Sequence, residues 1–233
     1  MCGRFTLFAD PAELQDVFPD VTFPERWTPR YNIAPGQPVL VLPNDGTQRA
    51  NFFLWGLIPS WAKEAGIGRR LINARAETLA VKPAFRAAYR YRRCLVFADG
   101  FFEWRSMGRG KVPYFVRLQS RRPFAFAGLW DIWHSGDGSV IYSTAIVTTG
   151  PNELLAPLHD RMPVILPPEA RMLWLDPAPQ APTRLQSLLR PYPAEEMEAY
   201  PVSSLVNRPE NEGPQVIAPG GTSCEDRDTV TVI

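Results

Sequence analysis

Methionine followed by a residue as small as cysteine is normally excised, and here the chain opens Met1-Cys2. Excision leaves Cys2 with a free α-amine and a thiol on adjacent carbons, a 1,2-aminothiol. An α-amine of pKa about 8 is roughly a tenth neutral at pH 7, and a cysteine of pKa about 8.5 is a few per cent thiolate, so both nucleophiles are available. With an aldehyde the amine forms an imine, and the sulfur then closes on the same carbon to give a five-membered thiazolidine. With an amide the thiolate attacks while the amine serves as base. Met-Cys alone also fits an inert residue at a chain end, because most cysteines are structural.

Three further places carry candidate chemistry. Asn73, Arg75 and Glu77 stand at i, i+2 and i+4, on one face if the segment is extended. Glu103 lies among Phe101, Phe102 and Trp104, surroundings that raise a carboxyl pKa and suit a general acid or base. Of the two histidines, His134 stands beside Ser135-Gly136 in a turn-like context, whereas His159 lies beside Asp160 and Arg161 at the end of an expected helix. His159 is the better proton-transfer candidate. The 73–77 segment also has a bland reading, as a solvated strand face or a helix start, and His159 as a structural histidine.

The elements that must hold these residues are short, because 25 prolines and 16 glycines punctuate 233 residues. Asp10 as N-cap and Pro11 at the first helical position predict a helix over 11–18. Extended segments are expected at 39–42, 48–56, 94–99, 114–118, 124–130 and 140–148, and short helices at 83–91, 152–158, 168–175 and 183–189. Segments 61–70 and 176–182 read as surface loops. The pattern predicts one turn-rich α+β or mostly β domain, antiparallel strands with helices outside, followed after Pro219 by a flexible tail at 220–233.

Bulk properties narrow the function. A net charge of +1 excludes the strongly basic global field of a non-specific nucleic-acid binder and leaves a local basic groove possible. Only Lys63, Lys82 and Lys111 are lysines among 25 basic residues, so arginines dominate. Cys2, Cys94 and Cys224 are odd in number and in no CxxC pair, which suggests free thiols, neither a disulfide framework nor a zinc site. No apolar run suggests a secretory signal or a membrane span, so a cytoplasmic, monomeric protein is expected, with no metal and no cofactor. The aromatic, proline and arginine mix around Tyr31 to Gly36 and Trp55 to Trp61 can stack bases or simply fill a core.

Six motifs in order, Met1-Cys2-Gly3-Arg4-Phe5, Tyr31-Asn32-Ile33-Ala34-Pro35, Trp55-Gly56-Leu57-Ile58-Pro59, Ile72-Asn73-Ala74-Arg75-Ala76-Glu77-Thr78, Ala98-Asp99-Gly100-Phe101-Phe102-Glu103-Trp104 and His159-Asp160-Arg161-Met162-Pro163, resemble the SRAP family of SOS-response-associated, abasic-site-processing proteins. The resemblance runs from Cys2 to about Pro219. It implies a single SRAP domain over residues 1–219, an α+β fold around an antiparallel β-barrel-like core with short peripheral helices, that binds single-stranded DNA, cross-links to the ring-opened deoxyribose of an abasic site and sits at the nucleoid when bound. It also implies roles: Cys2 forms the thiazolidine, Asn73 holds the linkage, Glu103 moves protons and His159 assists sugar-ring opening or reversal. Arg4, Arg75 and Arg161 hold the flanking phosphates, and Asn32, Pro35, Trp61 and Thr148 line the DNA path. Ala62 departs from the family habit of a second aromatic after Trp61, which alters the wedge beside the lesion. The competing classes are an N-terminal-nucleophile thiol peptidase or amidohydrolase, and a non-covalent single-strand binder.

Overall fold

The computed structural model describes residues 2–108 and 110–220. The chain runs β1 (Phe5–Leu7), α1 (Pro11–Val17), β2 (Arg30–Ile33), β3 (Pro38–Pro43), β4 (Asn51–Trp55), β5 (Asn73–Arg75), α2 (Arg86–Tyr91) and β6 (Arg93–Ala98). It continues through β7 (Gly100–Met107), β8 (Gly110–Leu118), β9 (Phe124–His134), β10 (Val140–Thr149), β11 (Met162–Pro163), α3 (Pro168–Leu175), α4 (Pro182–Gln186) and β12 (Met197–Pro201). Strands β4, β3, β6, β9 and β10 are hydrogen-bonded in that order, and β10 returns to β4, so five strands close a barrel. A second sheet, in the order β12-β8-β7-β1-β2, packs beside it.

This is the expected α+β, barrel-like architecture with small outer helices. The barrel pairings are antiparallel except at one seam, where β10 meets β4 in parallel register, Ser143 opposite Leu54 and Thr144 opposite Trp55. Strand β5 then adds to β10, also in parallel, with Asn73 opposite Ile146 and Arg75 opposite Thr148. The chain therefore leaves β10 after Trp55, makes an excursion through 56–72, and comes back to the same strand. The base of that excursion is closed by backbone against backbone. A Cβ on Gly56, whose φ is +134°, would lie 2.7 Å from the Gly68 carbonyl oxygen, and a Cβ on Gly68 would lie 2.7 Å from that of Gly56. Only glycine fits either position.

Helix α1 forms as its cap predicts. The Asp10 side chain accepts from the Glu13 N–H and the Glu13 carboxylate from the Asp10 N–H, both at 2.9 Å, a reciprocal capping box. It stops at Val17 because Phe18 leaves helical geometry. Other boundaries differ from expectation for local reasons. Strand β4 starts at Asn51, not 48, since Gln48 takes a positive φ of 53° that breaks extended pairing. The expected helix at 152–158 is a run of turns: Asn152 accepts from the Ala156 and Leu155 N–H groups, but Pro157 has no N–H to continue a helical ladder. Strands β1, β2, β7 and β12 were not expected as such. The segment 221–233, with Cys224 and nearly all of the expected tail, lies outside the described residues.

Phe5 locks the second sheet to the barrel. Its ring packs edge-on against Trp55 and Phe126 at centroid separations of 5.0 and 5.8 Å, contacts worth about 0.5–1.5 kcal/mol each beyond their burial. Just past it, the buried Asp99 carboxylate, which stands immediately before β7, accepts from the Thr6 hydroxyl and from the N–H groups of Phe8 (2.5 Å) and Ala9 (2.8 Å). Together these fix where the amino-terminal segment lies. Asp99→Ala strands two amides away from water and is expected to lower stability by about 2–4 kcal/mol in urea unfolding. A loss under about 1 kcal/mol would show that water or a neighbour replaces the carboxylate.

Candidate active site at the amino-terminal cysteine

Strand register decides what Cys2 meets. Phe5 lies opposite Phe101, and the Arg4 carbonyl accepts from the Phe102 N–H at 2.9 Å, so the chain before β1 runs beside residues 103–104 of β7. Cys2 is fully buried there, with its thiol 3.8 Å from the Arg4 carbonyl. Burial pushes the thiol pKa well above its ordinary value, and the negative charge of nearby Glu103 pushes it further. Sulfur therefore rests as a neutral thiol.

Glu103 is 2% exposed on β7, opposite Tyr114 of β8. Burial raises its carboxyl pKa to about 7, partly offset by the positive charge of the amino terminus. That value makes it able to give or take a proton near neutrality. From the opposite side comes Asn73, whose Nδ2 donates to the Cys2 carbonyl at 2.7 Å. Its Oδ1 is buried with no hydrogen-bond partner among the described residues, an acceptor left over inside the site. The pattern of Asn73, Arg75 and Glu77 extends as strand only to Arg75; Glu77 lies in a single 3-10 turn after β5. Asn73 reaches Cys2, Arg75 is exposed, and Glu77 turns to Arg161.

His159 is half-buried at the rim. Its Nδ1 accepts from the Arg161 N–H at 3.0 Å and also lies 2.8 Å from the Asp160 carboxylate. Burial lowers its pKa, the positive amino terminus adds to that, and Asp160 opposes it. Asp160 acts on Glu103 too, raising its pKa, so Glu103 and the His159 loop belong to one electrostatic cluster with Cys2.

The residues expected along a DNA path divide into two groups. Pro35, Trp61 and Arg75 are exposed, Trp61 by 58%. Trp61 also lines a shallow cavity of about 560 Å³ with Lys63, Arg69 and Arg70 on the 56–72 excursion. The other four are engaged within the fold. Asn32 is fully buried, its Oδ1 accepting from Arg4 at 2.7 Å and its Nδ2 donating to the carbonyls of Arg208 (2.9 Å) and Asn211 (2.8 Å). Arg4 donates also to the Val206 carbonyl at 2.6 Å. Thr148 is buried, and its carbonyl accepts from Arg161, whose guanidinium holds Glu77. Glu77 was picked out from sequence only by its spacing with Asn73 and Arg75 and was given no role, and Asp160 was not singled out as a site residue. Their signal was adjacency, since each stands within two residues of a candidate arginine.

The SOS response associated peptidase (SRAP) family model matches residues 1–209, most of the chain. This chain belongs to the SRAP family. Among curated proteins it is 48% identical over 221 residues to the abasic site processing protein YoqW of Bacillus subtilis, covering 93% of this chain and 99% of that one. It is 30% identical over 227 residues to the abasic site processing protein YedK of Escherichia coli, covering 94% and 100%. A crystal structure of a protein from Bacteroides thetaiotaomicron superposes with a TM-score of 0.85 at 26% identity, covering 94% of this SRAP chain and all of the other. Among the described residues no helix is long and apolar enough to cross a membrane, and no group of three metal-ligating side chains occurs.

Asn32 makes the contacts of a scaffold residue. Asn32→Ala is expected to cost about 2–4 kcal/mol by leaving buried carbonyls and the Arg4 guanidinium short of partners. Hydrogen exchange of residues 203–217 in DNA-free protein should accelerate with it; unchanged exchange there would return Asn32 to the DNA path.

Proposed function

We propose that this SRAP protein binds single-stranded DNA and joins itself covalently to abasic sites through Cys2, shielding the lesion during the response to DNA damage. The observation that carries the reading is the convergence on Cys2 of Asn73, at 2.7 Å from its carbonyl, and of a buried carboxyl poised near neutrality. Two relatives that span the chain bear the name abasic site processing protein, which agrees with it.

Excision of Met1 uncovers the α-amine. The amine adds to C1′ of the ring-opened deoxyribose, and loss of water gives the imine. Sulfur then adds to the same carbon: the S–C bond forms, the thiol proton leaves sulfur, and the former imine nitrogen ends as a ring N–H. The net reaction is aldehyde plus aminothiol giving thiazolidine plus water. A thiol held neutral by burial needs a base at the moment of attack, and Glu103 fits that role. The buried Oδ1 of Asn73 suits an N–H of the linkage, and His159 at the rim suits proton transfer to the sugar oxygen during ring opening or reversal. Exposure suits Arg75 to a flanking phosphate, and Trp61 and Pro35 to the bases beside it. One domain, residues 1–219, carries the activity, as a monomer in the cytoplasm and at the nucleoid when bound. Strand cleavage through the imine and removal of Met1 by the protein itself belong to the same chemistry. Peptide hydrolysis is less well served, because it draws on a resting thiolate that this burial disfavours.

Incubation with an abasic single-stranded oligonucleotide should give an adduct stable to denaturing electrophoresis. Cys2→Ala, or a retained Met1, should abolish it; an adduct that survives Cys2→Ala would sink the aminothiol mechanism. The rate should rise as pH passes through about 7, because the carboxylate form of Glu103 is the base. In Glu103→Gln that inflection disappears and the rate at higher pH falls about a hundredfold, with DNA affinity kept. Joint loss of affinity and adduct would mark Glu103 as structural.

A further inference from the structure

Arg161 stands where a phosphate contact is expected, yet the fold uses its guanidinium internally. Nη1 meets one Glu77 carboxylate oxygen at 2.7 Å, Nη2 meets the other at 3.0 Å, and Nη2 also donates to the Thr148 carbonyl at 2.5 Å. The arginine side chain is only 12% exposed and its Nε is buried without a partner among the described residues, while Glu77 is 53% exposed. This is a two-pronged fork on a carboxylate, the geometry that fixes direction as well as distance. A carboxylate next to a DNA path repels phosphate, so its presence beside Arg161 needs a reason other than affinity.

The reason lies in what each partner is attached to. Glu77 is in the turn directly after β5, whose first residue, Asn73, holds the Cys2 carbonyl. Arg161 is two residues past His159, and its backbone N–H is the donor to His159 Nδ1. Thr148 belongs to β10, which pairs with β5 on one side and, through Thr148 itself opposite Pro163, with β11 on the other. We propose that Glu77 is a positioning residue for the reaction: by gripping Arg161 it fixes the His159 ring relative to Asn73 and Cys2.

The grip also selects a tautomer. An Nδ1 that accepts from the Arg161 N–H leaves the neutral ring's proton on Nε2. The Asp160 carboxylate, 2.8 Å from the same Nδ1, favours a proton on Nδ1 instead. The two contacts compete for one nitrogen, and anchoring the Arg161 backbone tips the balance to the Nε2–H form. The other charges that bear on the ring, Lys111 and the amino terminus, are both positive and oppose protonation. Glu77 is the exposed partner of the pair, so water can take over the bond that Gln gives up, and the change should alter the ring and spare the fold.

The proposal rests on the reaction proposed above, and Glu77→Gln tests it, since the amide keeps the shape and one hydrogen bond but loses the charge and the fork. The adduct rate on an abasic single-stranded oligonucleotide should fall about tenfold to a hundredfold, while affinity for the same oligonucleotide without the lesion holds or tightens. Arg161→Lys should behave alike, and the double variant should be no worse than either single one. In DNA-free protein, ring-nitrogen NMR shifts should report the Nε2–H tautomer of His159 in the wild type and a mixture in Glu77→Gln. A rate within about twofold of wild type, effects that multiply, or a loss that follows DNA affinity would overturn the assignment, the last making Arg161 a phosphate contact. Wild-type protein that forms no adduct would instead sink the reaction itself, and the NMR comparison still decides whether Glu77 sets the ring.

Discussion

Burial at the amino-terminal segment governs the site. Water is excluded from both Cys2 and Glu103, so the thiol keeps its proton at rest while the carboxyl, raised to about 7, passes between its two forms near neutrality. What the arrangement favours is chemistry in which protons move at the moment a bond forms, between groups already in place. The rest of the fold can be read as the means of holding that segment down: Phe5 wedged against Trp55 and Phe126, Asp99 tying down Thr6, Phe8 and Ala9, and Asn73 reaching over from the far side.

Strand β10 is the structural hub of that far side. It closes the barrel against β4 and β9, receives β5 and β11, and contributes the Thr148 carbonyl. A closed barrel resists shear, because slipping one strand breaks pairing on both its edges. Residues mounted on β10 and its immediate partners therefore keep their spacing although they come from parts of the chain more than eighty residues apart, as do Asn73 of β5 and Met162 of β11, three residues past His159.

Much of this was readable before any coordinates, and the readable parts share a cause. The Asp10 cap, the apolar runs of β3, β6, β9 and β10 and the aromatic setting of Glu103 are local, set by residues within one or two turns or strands. What escaped was non-local. Strands β1 and β2 are short and owe their form to pairing with distant partners, and β12 exists as an edge on β8. Among site residues, the expectation that Arg4, Asn32 and Arg161 face DNA came with the family resemblance, whereas their engagement with Val206, Arg208, Asn211 and Glu77 depends on contacts across 84 to 202 positions of sequence. Glu77 was legible as a polar residue at the right spacing, but the turn at 76–78 that redirects it was not.

The reciprocal contact of Gly56 and Gly68 makes the stretch between them an insert with a fixed hem. Its two ends are stitched together by backbone touching backbone, and the Leu57 N–H bonded to the Leu71 carbonyl continues the stitch toward Asn73. Leu57 and Ile58 beside the hem are buried, so it is the mostly exposed run from Ser60 to Ile67 whose residue types can change without moving the reactive cluster. Within this scaffold the loop bearing Trp61 and Ala62 is the part open to change, a surface cassette that can be exchanged while the site behind it stays in place.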